Sequence, residues 1–299
     1  MQRPRAIPDL KLVFHPEADD SYRHFDGHET VPFDPAATTM TRANAWWLAE
    51  AALLTYWDPG PARQRFAAAG LDAGIVESGE TQAYVASMPG AVIVAFRGTE
   101  PDRLVDSFDD AGFALVHATH GSVHAGFRNA LERVWTPLVE QLTPLAGSRT
   151  VWFSGHSLGA ALATLAADRF PATAGVCTLG SPRVGDRAFA AAFDAHFGAR
   201  AARYVNDADI VTHLPTPFPL PYQHVGRLRQ ITPDGRITTQ PPVLAHFVRD
   251  VFGNVGHLQE VVRALHAGSM QRAPDFLLDH MPRGYTTDIW NDHDAHGTT

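Results

Sequence analysis

The chain has 299 residues, 45% of them hydrophobic and 19% charged, with 24 glycines, 22 prolines and one cysteine. That apolar share supplies a sizeable core and excludes a disordered or collagen-like chain, while a lone Cys177 excludes an internal disulfide framework. The formal net charge of −8 argues against a nucleic-acid partner, because neutralising phosphates needs clustered Lys and Arg.

Residues 1–40 are rich in Pro, Asp and His without periodicity and read as an N-terminal arm. The apolar residues 10–14 are too few for a signal-peptide core, and no run approaches the ~18 apolar residues of a membrane helix. A cytoplasmic location without a transmembrane segment is therefore the default expectation. Residues 42–56 carry apolar positions at helical spacing and stop before Asp58-Pro59-Gly60. Residues 81–87 and 91–96 are β-rich runs around Met88-Pro89-Gly90, which predicts a hairpin. Leu104, Phe108, Ala111 and Leu115 recur at helical spacing within residues 101–121, and residues 127–142 form an amphipathic helix. An apolar strand over 151–153 runs into Ser154-Gly155, followed by a helix over 160–170. A strand over 175–179, a helix over 187–196 and a strand over 202–205 complete the alternation. This pattern predicts an α/β fold with a mainly parallel central sheet flanked by helices. Residues 41–290 contain no Gly- or Pro-rich linker and read as one domain, with 291–299 a polar, flexible tail.

The sharpest local signal is Gly155-His156-Ser157-Leu158-Gly159, a G-x-S-x-G between a strand and a helix. Such a turn is tight enough that the serine's neighbours must be small, hence the glycines. In return the hydroxyl stands at a helix N-terminus, where the dipole favours developing negative charge, and the N–H of Leu158 faces the reacting carbonyl. The pentapeptide alone also fits an ordinary Gly-Ser turn; the strand before it and the helix after it favour a nucleophile.

A nucleophilic serine needs a base, and the base needs an orienting carboxylate. The chain order Ser, acid, His leaves His213, His224, His246, His257, His266, His280, His293 and His296. The acid is expected just beyond the strand ending Tyr204-Val205-Asn206, where Asp207 and Asp209 both stand. Spacing chooses neither between these two carboxylates nor among the histidines.

Five segments in order resemble the class 3 lipases, α/β-hydrolases that include fungal triacylglycerol lipases and feruloyl esterases. They are Phe96-Arg97-Gly98-Thr99, Val123-His124-Ala125-Gly126-Phe127, the serine pentapeptide, Leu179-Gly180-Ser181-Pro182-Arg183-Val184-Gly185, and Asp209-Ile210-Val211 running to Leu214-Pro215. Tyr222-Gln223-His224-Val225-Gly226 resembles a motif of bacterial members, and Asp279-His280 with Tyr285 resembles the family's terminal histidine segment. The resemblance implies the α/β-hydrolase fold, with Ser157 as nucleophile, Asp209 as acid and His280 as base. It implies the backbone N–H of Thr99, beside that of Leu158, as the second oxyanion donor. His124 and His224 match family positions that look structural. The insertion Met281-Pro282-Arg283-Gly284 departs from the family pattern, which makes His257 the runner-up base. Lipases of this family carry a lid after the oxyanion segment; the apolar spacing within 101–121 fits either such a lid or a surface helix. The Pro-rich residues 214–221 fit either a pocket wall or a rigid loop.

The implied activity is carboxylic-ester hydrolysis through an acyl-enzyme, acting as a lipase or esterase on acylglycerols or similar esters. It requires no metal or organic cofactor. The partners implied are an ester or lipid substrate and a transient contact with a lipid interface. Two other readings share the motifs: a serine hydrolase of another bond, such as a thioesterase or peptidase, and a non-catalytic interaction module on the same fold.

Overall fold

The computed structural model describes residues 1–5, 21–99, 114–217, 221–240 and 274–297. Helix α1 (Arg42–Leu54) starts at Thr41, whose side chain accepts from the Asn44 N–H, and α2 (Pro59–Ala68) opens on a proline, which tolerates the first turn. An antiparallel meander follows: β1 (Asp72–Ser78), β2 (Thr81–Met88) and β3 (Ala91–Phe96). Two short strands, β4 (Leu115–His117) and β5 (Ser122–His124), lead into the long helix α3 (Ala125–Ala146). Then come β6 (Thr150–His156), α4 (Leu158–Arg169), β7 (Thr173–Leu179), β8 (Gly185–Asp186), α5 (Arg187–Phe197) and β9 (Ala201–Asn206). The remainder is β10 (Tyr222–Gln223), β11 (Arg227–Ile231), β12 (Ile237–Thr238), a single turn α6 (Asp275–Leu278) and α7 (Pro282–His296).

Among the described residues the main sheet has eight strands in the order β1-β2-β3-β6-β7-β9-β11-β12. The run from β3 to β11 is parallel throughout, and antiparallel strands close both edges. A second, antiparallel sheet of four short strands has the order β10-β8-β5-β4. Every residue of β3 is buried, as expected of a parallel strand covered on both faces. The two-residue pleat sorts its side chains. Val92, Val94 and Phe96 pack with Leu131 and Leu138 of α3 and Leu162 of α4, whereas Ile93 and Ala95 pack with Trp46 and Leu48 of α1 and with Trp152. In α3 the buried residues Phe127, Leu131, Val134, Leu138 and Leu142 follow helical spacing along one face.

Three expectations from the sequence are corrected here. Residues 21–40 are not a loose arm: Tyr22, Phe25, Val31 and Phe33 are buried, and the Trp47 indole N–H donates to the Val31 carbonyl at 2.7 Å. The segment lacks regular secondary structure, so its burial left no periodic trace. Residues 291–296 are not a frayed tail but the last turns of α7, where Asn291 exchanges hydrogen bonds of 2.7 and 3.0 Å with the Arg3 backbone. Its polarity reflects these bonds to the N-terminal residues. Leu115 lies on β4 rather than on a helix, while Leu104, Phe108 and Ala111 lie outside the described residues. The start of the Pro-rich segment is a clamped loop: the Arg183 N–H donates to the Leu214 carbonyl at 2.7 Å, and its guanidinium to the Pro215 carbonyl at 2.9 Å.

Candidate active site

Ser157 sits between β6 and α4 with φ 60° and ψ −128°, a conformation that L-residues with a Cβ rarely adopt. The glycines of the motif make this turn fit. A Cβ on Gly155 would overlap the Gly159 carbonyl, and one on Gly159 would overlap the Phe96 carbonyl at the end of β3. Because β3 pairs with β6 in parallel, with Phe96 opposite Gly155, the segment Arg97-Gly98-Thr99 leaves the sheet beside the serine. The approach is close: a Cβ on Gly98 would stand 3.2 Å from the Ser157 Cβ. Gly98 thus brings the chain just before Thr99 to the serine, and Leu158 follows the serine as the first residue of α4.

The next strands bring the other groups. Asp209 follows β9 and opens a 3-10 turn (Ile210–His213), its Oδ1 accepting from the Val211 N–H at 2.9 Å. His280 lies between α6 and α7. Its Nε2 is 2.9 Å from Ser157 Oγ, and its Nδ1 is 2.9 Å from both Asp209 oxygens. The carboxylate fixes the tautomer: Nδ1–H donates to Asp209, so the Nε2 lone pair faces the serine hydroxyl. All three residues are buried. Burial alone would push the Asp209 carboxyl up, but the His280 imidazole, together with hydrogen bonds from His280 and Tyr285, holds it below the ordinary carboxylate range.

Of the two carboxylates open to sequence reading, the structure thus brings Asp209 to the histidine, while the Asp207 N–H pairs with Ile231 on β11. Among the described histidines it brings His280. His213 ends the 3-10 turn after Asp209, His293 and His296 lie on the last turns of α7, and His224 Nε2 donates to the Thr212 carbonyl at 2.8 Å. His257, His246 and His266 lie outside the described residues. His124 is buried and caps α3, accepting from Gly126 N–H at 3.1 Å and stacking on Phe127 at 4.2 Å.

Two supporting residues had no role assigned in sequence. The Tyr285 hydroxyl donates to Asp209 Oδ2 at 2.5 Å and accepts from the Asn206 N–H at 2.9 Å, linking α7 to the end of β9. Gly180, at φ +57°, lies against the acid–base pair: a Cβ there would stand 2.8 Å from Asp209 Oδ2 and 3.1 Å from His280 Nδ1. Tyr285 stood in the terminal segment and Gly180 in the Leu179–Gly185 segment, but neither contact is visible in spacing. Beside the oxyanion segment a polar cavity of about 300 Å³ is lined by Glu77, Glu80, Gln82, Arg97 and Thr99.

Residues 93–218 match the family model for lipase (class 3). The chain is 34% identical to a lipase of Rhizomucor miehei over 163 residues, covering 50% of this chain and 44% of that protein. It is 31% identical over 173 residues to a secreted mono- and diacylglycerol lipase of Malassezia restricta, covering 52% and 54%. A phospholipase A1-II 3 of Oryza sativa subsp. japonica is 32% identical over 167 residues, covering 42% of this chain and 39% of that protein. The chain thus spans about half or less of these relatives. In structure it resembles the Rhizomucor miehei lipase–propeptide complex with a TM-score of 0.54 and 28% identity, covering 64% of this chain and 68% of that one. Lipase II from Rhizopus niveus gives a TM-score of 0.52 and 26% identity, covering 64% and 82%. These neighbours share the α/β-hydrolase fold with a mainly parallel sheet. Residues 93–218, which carry the serine motif, Thr99 and Asp209, are thus similar to the class 3 lipases over less than half of the chain.

Proposed function

We propose that the protein is a serine carboxylic-ester hydrolase, a lipase or esterase acting on acylglycerols or similar esters. The observation that carries this reading is the unbroken hydrogen-bond chain Ser157–His280–Asp209, with the serine held on a strained turn at the N-terminus of α4. In the proposed reaction His280 Nε2 takes the hydroxyl proton as Ser157 Oγ attacks the ester carbonyl carbon. Asp209 keeps Nδ1–H in place and stabilises the imidazolium. The N–H groups of Thr99 and Leu158 receive the tetrahedral oxyanion, a contribution of about 10²–10³ in rate per donor in comparable sites. Collapse of that intermediate breaks the bond to the alcohol, which leaves with the proton from His280. Water, deprotonated by the same imidazole, then attacks the acyl-enzyme, and the acid leaves as Ser157 regains its proton.

Relatives named as a lipase, a mono- and diacylglycerol lipase and a phospholipase A1 support a lipid ester as substrate. The proposal includes a transient contact with a lipid interface, as such substrates demand. Rates on p-nitrophenyl esters of increasing chain length, below and above their solubility limit, beside matched thioesters and amides, test the reading. Ester hydrolysis that exceeds the other two and rises once the ester separates from solution is expected. Preference for the thioester or amide would overturn the assignment of the bond, and a flat response across the solubility limit would remove the interface.

A further inference from the structure

The residue preceding Ser157 has a side chain that the acyl-transfer steps leave unused. His156 is buried at the end of β6, with Nε2 2.6 Å from the main-chain oxygen of His280 and Nδ1 2.7 Å from the Tyr56 hydroxyl. A carbonyl oxygen only accepts, so Nε2 carries the proton; Nδ1 then offers its lone pair, and the Tyr56 O–H donates to it. Burial, and next the adjacent His280, push the His156 imidazole well below the usual histidine range, consistent with this neutral tautomer. The result is one directed chain: Tyr56 O–H to His156, and His156 N–H to the His280 carbonyl.

This chain acts where the site is least supported by regular structure. His280 lies between two helices, so no sheet ladder fixes its backbone. Instead, two consecutive carbonyls are held from the strands that deliver the other catalytic groups. Asn206, at the end of β9, donates to the Asp279 carbonyl at 3.0 Å, and His156, at the end of β6, donates to that of His280. The two imidazole rings also pack, with centroids 4.5 Å apart. On its other side Tyr56 meets the oxyanion segment: a Cβ on Gly98 would overlap the Tyr56 hydroxyl, and the Arg97 guanidinium lies 5.9 Å from the Tyr56 ring centre.

We infer that Tyr56 and His156 are positioning residues that set the distance from His280 to Ser157 and the seat of the oxyanion segment together, without touching substrate. The kinetic consequence rests on the esterase reading above; the geometric one does not. The test compares His156→Leu, His156→Gln and Tyr56→Phe with the parent by ester kinetics, by circular dichroism and by the proton NMR signal of His280 Nδ1–H bonded to Asp209. His156→Leu is expected to lower kcat on the order of 10²-fold with KM little changed, the cost of about 1 Å of misplacement. It should also shift or broaden the His280 signal. His156→Gln keeps an amide donor within reach of the His280 carbonyl and should recover much of kcat and the parental signal. Tyr56→Phe, which deletes one oxygen, should lose less than His156→Leu and carries the test if the leucine variant does not fold. Parental kcat and an unmoved His280 signal in both His156→Leu and Tyr56→Phe would overturn the inference. If the parent hydrolyses no ester, the esterase reading fails and the NMR signal decides alone: moved supports positioning, unmoved refutes it.

Discussion

Tyr285 and Asp209 are joined by a hydrogen bond of 2.5 Å, with the phenol of α7 donating to the carboxylate that orients His280. The same hydroxyl accepts from the Asn206 N–H, so one side chain docks the C-terminal helix on the end of β9 and fixes the acid. Tyr285→Phe therefore leaves both Asp209 and Asn206 one partner short. A charge-assisted bond of about 1.5 kcal/mol corresponds to roughly tenfold in rate. A drop in kcat of about that size with KM little changed, together with a lower melting temperature, is the expected outcome in ester kinetics and thermal denaturation.

Gly180 offers a sharper contrast because a control position exists. Gly180 and Gly198 have nearly the same φ, +57° and +54°, but a Cβ on Gly198 meets nothing within 4 Å. Both alanine variants should lose about 1–3 kcal/mol of stability from a side chain placed at positive φ. Only Gly180→Ala should also lower kcat, by up to about 10²-fold, since its methyl must displace the Asp209–His280 pair. Equal kcat in the two variants would contradict this.

Asp279 makes stability depend on pH. Burial, opposed by the hydrogen bond from the Ala208 N–H and reinforced by Asp207, Asp209 and Asp275, raises its carboxyl to about 7. Between about pH 4 and 7 the folded state holds a proton here that the unfolded chain has released, so this group lowers stability as pH rises through that window. Asp279→Asn keeps an acceptor for Ala208 and removes the titration. Melting curves should show the variant gaining on the parent from pH 4 to pH 7, and a constant difference would refute the shift.

The N-terminal residues form part of the stability of the fold. Glu50 is buried in α1 and accepts from Arg3 at 2.8 Å, Tyr22 at 2.9 Å and the Trp46 indole at 3.0 Å. Removing the cation while leaving the buried carboxylate costs up to about 3 kcal/mol. Arg3→Ala should lower the denaturant midpoint accordingly, whereas Glu50→Gln with Arg3→Ala should recover part of the loss.

The sequence was most informative where one physical rule dominates. The apolar runs of β3, β6 and β7 and the spacing of α3 are set by burial, and these elements were legible. The serine turn was legible because its two close backbone approaches demand glycine on each side. Choosing Asp209 over Asp207 and His280 over the other histidines needed the family resemblance. Those choices depend on how β9 ends and how the chain returns from α6, which local spacing does not encode. Residues 21–40 stayed opaque because Tyr22, Phe25 and Phe33 are buried from irregular backbone, without a period to read. Tyr285 and the Tyr56–His156 pair stayed opaque because their partners lie 76, 100 and 124 residues away.

Ser157 is proposed as the nucleophile of an ester hydrolase. The direct measurement treats the folded parent and Ser157→Ala with an organophosphonate probe, maps the adduct by peptide mass spectrometry, and follows ester hydrolysis alongside. One adduct on Ser157 in the parent, none in the variant, and loss of hydrolysis in the variant at an unchanged melting temperature are expected. Hydrolysis by Ser157→Ala at the parental rate, or an adduct on another residue, would contradict it.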